Sequence, residues 1–107
     1  MQIVELKIED DYIDSVLNIL KSIKSNMIKE INIRDSRNYN SRGITYYKIK
    51  KYKKAIKSYQ KAIKLNPKND GAYYNMGLAY YKIKKYKKAI ESYQKAIRPL
   101  LKPPTAN

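Results

Sequence analysis

The stretch YYKIKKYKKAIKSYQKAIK, Tyr46 to Lys64, returns as YYKIKKYKKAIESYQKAIR, Tyr80 to Arg98, at an offset of 34 residues. Seventeen of the nineteen positions are identical; Lys57/Glu91 and Lys64/Arg98 are the exceptions. On a helical wheel with Tyr52 at zero, Ala55, Ile56, Tyr59, Ala62 and Ile63 fall within about 120°, with Lys53, Lys57, Lys61 and Lys64 opposite. This predicts an amphipathic helix with one apolar face. Ala55 and Ala62, repeated as Ala89 and Ala96, admit a neighbouring helix closely, and the tyrosines and isoleucines fill the space beside it. Asn66, Pro67 and Asn69 mark a stop and a turn.

The first half of each unit carries a second helix. Tyr39, Gly43, Tyr46 and Ile49 share one face, repeated as Tyr73, Gly77, Tyr80 and Ile83, and Gly43 reads as a close backbone approach rather than a turn. Asn40, Ile44, Tyr47 and Lys48 lie on another face, with Tyr74, Leu78, Tyr81 and Lys82 as their counterparts. A row of Ile44, Tyr47, Tyr74, Leu78 and Tyr81 is more apolar than a solvated surface requires.

Two antiparallel helices every 34 residues, with Gly at the eighth position, Tyr at the eleventh, Ala at the twentieth and twenty-seventh and Pro near the end, resemble the tetratricopeptide repeat. The match rests on Tyr39, Gly43, Tyr46, Tyr52, Ala55, Tyr59, Ala62 and Pro67, then Tyr73, Gly77, Tyr80, Tyr86, Ala89, Tyr93 and Ala96. It covers about residues 36 to 101. Three positions depart from the family pattern. Lys50 and Lys84 stand where a glycine is frequent between the helices, Arg42 replaces a large apolar residue, and Leu101 replaces the second proline. The expected fold is mainly α: two helix-turn-helix repeats, 36–69 and 70–101, forming a fragment of an α-solenoid. A proline-rich tail, 102–107, follows.

Residues 1–35 do not fit the repeat. Val4, Leu6 and Ile8 alternate with Ile3, Glu5 and Lys7, which predicts a short strand. Asp10 and Asp11 read as a helix start, Tyr12, Ile13, Val16, Leu17, Leu20 and Ile23 follow with helical spacing, and Met27 to Ile33 reads as a second strand. Such a strand-helix-strand module resembles the small N-terminal modules of some antitoxin-like proteins and, more loosely, the ribbon-helix-helix fold. It serves either as a packing cap or dimerising element, or as a DNA-reading ribbon, although Glu5 on its outward face suits the latter poorly.

The composition limits the chemistry. The chain has 107 residues, no cysteine and no histidine, so disulfides, thiolate metal sites and histidine-based triads are excluded. Gly43, Gly71 and Gly77 are isolated and form no phosphate loop. Asp10, Asp11 and Asp14 lie close in sequence, but Asp10 and Asp11 are better explained as helix-start residues than as part of an active site. No enzyme, cofactor or metal is expected. There is no apolar run long enough for a membrane span, and the acidic N-terminus lacks a secretory signal pattern, so a cytoplasmic protein is expected.

Net charge is +15, with residues 1–35 at −2 and residues 36–107 at +17. A basic repeat region points to an acidic partner or nucleic acid. Lys, Asn, Ile and Tyr make up 56 of the 107 residues, however, and all have A- and T-rich codons, so base composition alone enriches lysine on solvated faces.

The tetratricopeptide resemblance implies a non-catalytic adaptor or scaffold whose first helices line a groove for a peptide. In this chain those positions are Asn40, Ile44, Tyr47, Lys48, Tyr74, Asn75, Leu78, Tyr81 and Lys82. Asn75 matches a groove asparagine of the family, whereas Ile44 replaces its counterpart one unit earlier. The same tyrosines could instead pack on the N-terminal segment. The alternative function is a nucleic-acid-binding or antitoxin-like regulator that uses the basic second helices and an N-terminal dimerisation module. Because Tyr52, Tyr59, Tyr86 and Tyr93 point into the core, the lysines lack stacking partners, and nucleic-acid binding should be weak and non-specific. Two repeats leave their ends uncovered, so a homo-oligomer, a bound partner or further repeats would complete the stack.

Overall fold

The computed structural model describes the backbone of residues 2–97 and the side chains of residues 9–97. Four helices follow one another: α1 (Gln2–Lys48), α2 (Tyr52–Leu65), α3 (Asp70–Lys82) and α4 (Tyr86–Ile97). The chain divides into two compact units, 1–31 and 32–107. The expected positions of Leu100, Leu101 and the tail 102–107 lie outside the described residues.

The first unit corrects the reading of the N-terminus. Neither Gln2–Ile8 nor Met27–Ile33 is a strand; both lie within α1, and no strand occurs among the described residues. Asp10 and Asp11 are therefore interior to a helix rather than at its start. A short alternating run satisfies either period, and a strand also needs a neighbouring strand for its backbone N–H and C=O groups. A helix pairs those groups within itself.

In the second unit, residues 36–48 of α1 pair with α2, and α3 pairs with α4. The core contains Ala55, Ile56 and Tyr59 of α2 with Ala79 of α3, flanked by Ile44, Tyr46, Tyr47, Met76, Tyr80 and Ile83. Alanine lets α3 approach α2, and the large side chains close the gaps around it.

Both inter-helix turns use one device. Lys50 N donates to Tyr47 O at 2.9 Å and Lys51 N to Tyr46 O at 2.8 Å; Lys84 N donates to Tyr81 O at 3.0 Å and Lys85 N to Tyr80 O at 2.9 Å. These are Schellman closures, which require a left-handed residue just past the helix. Lys50 and Lys84 supply it, each at φ 64°.

Between the repeats, Asn69 caps α3 by accepting from Ala72 N at 3.0 Å. Its amide donates to Ser36 Oγ at 2.9 Å, and the Ser36 hydroxyl donates to Ala62 O at 2.6 Å. Ser36 is fully buried, so this chain of bonds ties α1, α2 and α3 together without leaving a buried polar atom unpaired. Asn66 Oδ1 accepts from Lys68 N at 3.1 Å, shaping the turn at Pro67.

Local sequence does not decide burial. Ile56 is 7% exposed under α3, whereas Ile90, its counterpart in the second repeat, is 56% exposed. Tyr86, expected to point into the core, is instead exposed on the same helix, as is Ile97, because no further helix among the described residues packs on that face.

Candidate interaction groove

The groove positions occupy residues 40–48 of α1 and 74–82 of α3. Asn75 Nδ2 donates to Asn40 Oδ1 at 3.0 Å, and this bond holds the two first helices side by side. Ile44 and Tyr47 are half-buried and pack against the core, so they brace the surface more than they offer it. Leu78 is half-buried, while Tyr74, Tyr81, Lys48 and Lys82 are exposed. The open part of the row is therefore two tyrosines with a lysine at the end of each helix.

Each tyrosine is held by a neighbouring ring. Tyr81 meets Tyr86 edge to face with centroids 5.5 Å apart, as Tyr47 meets Tyr52 at 5.3 Å; Tyr74 lies 5.8 Å from Tyr93 in a tilted arrangement. These separations are in the attractive range for aromatic pairs. A ring held this way loses little further freedom when a ligand covers it.

Gly43 and Gly77 set the depth of each helix pair. A Cβ on Gly43 would overlap the Tyr59 ring, and one on Gly77 would stand 2.7 Å from the Tyr93 ring. Tyr59 is 1% exposed. Its hydroxyl pKa is pushed up to about 12, by burial first and by Tyr47 second. Burial likewise raises that of Tyr93, with smaller contributions from Tyr74, Tyr47 and Tyr81.

The lysines prove to have aromatic partners after all. Lys54 Nζ lies 5.9 Å from the Tyr46 ring centre and Lys88 5.8 Å from Tyr80; Lys61 lies 5.5 Å from Tyr39 and Lys95 5.7 Å from Tyr73. Sequence reasoning considered only the tyrosines of the second helices and missed those of the first. The signal was present, since Tyr39 and Tyr46 recur with Lys54 and Lys61 as Tyr73, Tyr80, Lys88 and Lys95. Each lysine places its ammonium group over an aromatic face, where the ring quadrupole attracts the charge. These four are thus partly occupied in covering the fold.

A second cationic feature lies at the turn after α1. Lys50, Lys51, Lys53 and Lys54 with Tyr52 and Ile83 line a shallow open hollow of about 430 Å³. Lys51 is the N-cap of α2 and makes no side-chain capping bond, and no acidic residue stands in the first turn. A helix N-terminus and four lysines therefore give this hollow a positive potential over a partly apolar floor.

Antiparallel helix pairs recurring every 34 residues, closed by glycine-to-tyrosine packing, place the chain in the α-solenoid class of helical-repeat proteins. Residues 43–84 match the family model described as TPR repeat, and residues 71–98 match that described as tetratricopeptide repeat. Through residues 43–98, just over half of its length, the chain belongs to the tetratricopeptide repeat family. Repeats of this family generally mediate protein–protein interaction and are generally non-catalytic. No curated protein matches the chain significantly. No helix among the described residues is long and apolar enough to cross a membrane.

Proposed function

We propose that this chain is a non-catalytic adaptor that binds an acidic peptide segment along the first helices of its two repeats. The observation that carries this reading is the pair Tyr74 and Tyr81, exposed on α3 yet each braced by a second ring. Tyrosine brings a large rigid contact surface and a polar tip at small entropic cost. Asn40 and Asn75, joined to one another, retain free amide hydrogens and carbonyl lone pairs that suit the backbone of an extended segment. Lys48, Lys82 and the lysine-lined hollow supply the charge that selects carboxylates and speeds encounter. The charge of +17 on residues 36–107 favours such a partner at long range.

The test is a fluorescence-anisotropy titration with acidic peptides containing an apolar anchor. Tyr74→Ala and Tyr81→Ala should each weaken binding by about tenfold or more while leaving the melting temperature nearly unchanged. A nucleic-acid reading, carried by the lysine face, predicts the reverse: tolerance of both tyrosine changes, strong salt dependence, and loss on Lys53→Glu or Lys87→Glu. Anisotropy that responds only to oligonucleotides, with the tyrosine variants behaving as wild type, would discard the groove.

A further inference from the structure

The first unit carries an apolar stripe along α1. Ile13, Val16, Leu20, Ile23 and Met27 recur at spacings of three and four along α1, and all are exposed. Leu17 and Ile19 widen the stripe on its two sides and are exposed as well. At 100° per residue these side chains share one half of the helix. Asp14, Asn18, Lys21, Ser22, Ser25 and Lys29 occupy the other. Glu9 and Lys24 also fall within the apolar half, one towards each end, and between them the face from Ile13 to Ile23 is left in water, which makes it an incomplete structure.

Its charge is divided lengthwise. Glu9, Asp10, Asp11 and Asp14 precede the middle of the stripe, and Lys21, Lys24 and Lys29 follow it, with Glu30 as the one acidic residue on that side. Residues 1–31 carry four basic and six acidic side chains, so the segment is free of the strong positive charge of the repeats.

We propose that residues 9–31 pair antiparallel with the same segment of a second copy of this chain, the two-fold axis passing at the level of Asn18. In that register Ile13 faces Ile23 of the other copy and Val16 faces Leu20, each layer occurring twice. These are the alternating layers of an antiparallel coiled coil. Leu17 meets its own equivalent on one flank and Ile19 meets its equivalent on the other. The same register puts Asp10 beside Lys24 of the other copy, again twice. A single alignment thus satisfies the four central apolar layers and the flanking charges, and at each end Met27 faces Glu9 of the other copy. A parallel pair would instead align the acidic segments with one another and the lysines with one another, and like charges at such flanks are destabilising. The surface is self-complementary, as a two-fold interface demands.

Sedimentation equilibrium of the full chain tests this with two charge reversals. Wild type should form a concentration-dependent dimer. Asp10→Lys and Lys24→Asp should each weaken it by about tenfold, since two attractive contacts become repulsive. An equimolar mixture of these two variants should restore the wild-type association, because every flank contact in the mixed dimer is again opposite in charge. Leu20→Asp should abolish the dimer while the repeats melt as in wild type. A monomer at high micromolar concentration overturns the proposal, including one that adsorbs on anionic lipid vesicles. So does a dimer indifferent to all three changes, or one weakened by the reversals and not restored by mixing.

Discussion

The Tyr59 ring of α2 rests directly on the backbone of Gly43 in α1, in space that any side chain at position 43 would occupy. Gly43 is helical and has no positive φ, so its glycine is required by the ring and not by backbone conformation. Gly43→Ala should therefore destabilise the fold by about 1–3 kcal/mol, because overpacking outweighs the gain in helix propensity. Urea denaturation measures this. Gly77→Ala should cost less, since its partner Tyr93 is only half-buried and can move.

The turn lysines respond in the opposite direction. Lys50 and Lys84 hold φ 64°, a conformation that costs a side-chain-bearing residue about 1 kcal/mol relative to glycine. Lys50→Gly and Lys84→Gly should each raise the stability by about 0.5–1 kcal/mol, the lost lysine entropy notwithstanding. Thermal melts of the single and double variants should show additive increases, the two turns being separate.

Tyr59 makes the fold alkali-sensitive. Its hydroxyl pKa is raised to about 12 in the folded chain from an ordinary 10, so the folded state holds this proton after the unfolded state has released it. The stability it contributes is complete below pH 10 and falls as pH rises toward about 12, by about 2–3 kcal/mol in all. Comparing wild type with Tyr59→Phe over that window isolates the effect, because the two proteins differ only in that hydroxyl. Equal pH slopes for the two proteins would contradict it.

Asn69 joins two helices through one side chain, capping α3 while donating to the buried Ser36 hydroxyl. Asn69→Ala should cost about 1–2 kcal/mol, from the lost cap and the weakened Ser36 network. A double-mutant cycle with Ser36→Ala should show coupling, as the two residues share a hydrogen bond.

Ile56 and Ile90 stand in nearly identical sequence and should behave differently. Ile56→Ala should destabilise by about 2–4 kcal/mol, as for a buried isoleucine, while Ile90→Ala should cost well under half as much. Chemical denaturation of both variants checks the contrast.

Much of this molecule was written in its sequence. The period of 34 residues, the small-residue positions and the asparagine-proline turn define a helix pair, because amphipathic periodicity and turn chemistry act over a few residues. Gly43 was legible as a site of close approach for the same reason, whereas the tyrosine rings that fill the space at Gly43 and Gly77 emerged only from the structure. The candidate groove was legible only in outline. Its residues could be placed on one helix face, but whether Tyr47 turned inward and Tyr81 outward depended on neighbours distant in the chain.

What tertiary structure alone decided is whether a given surface has a partner. Ile56 is covered because α3 follows it, and Ile90 is exposed although its helix carries the same face. The N-terminus follows the same rule. Its alternating residues suited a strand or a helix equally, and with no strand among the described residues to share hydrogen bonds, the helix prevailed because it satisfies its own backbone. Local sequence determines which faces are apolar, and burial requires a second surface whose presence no short stretch can encode.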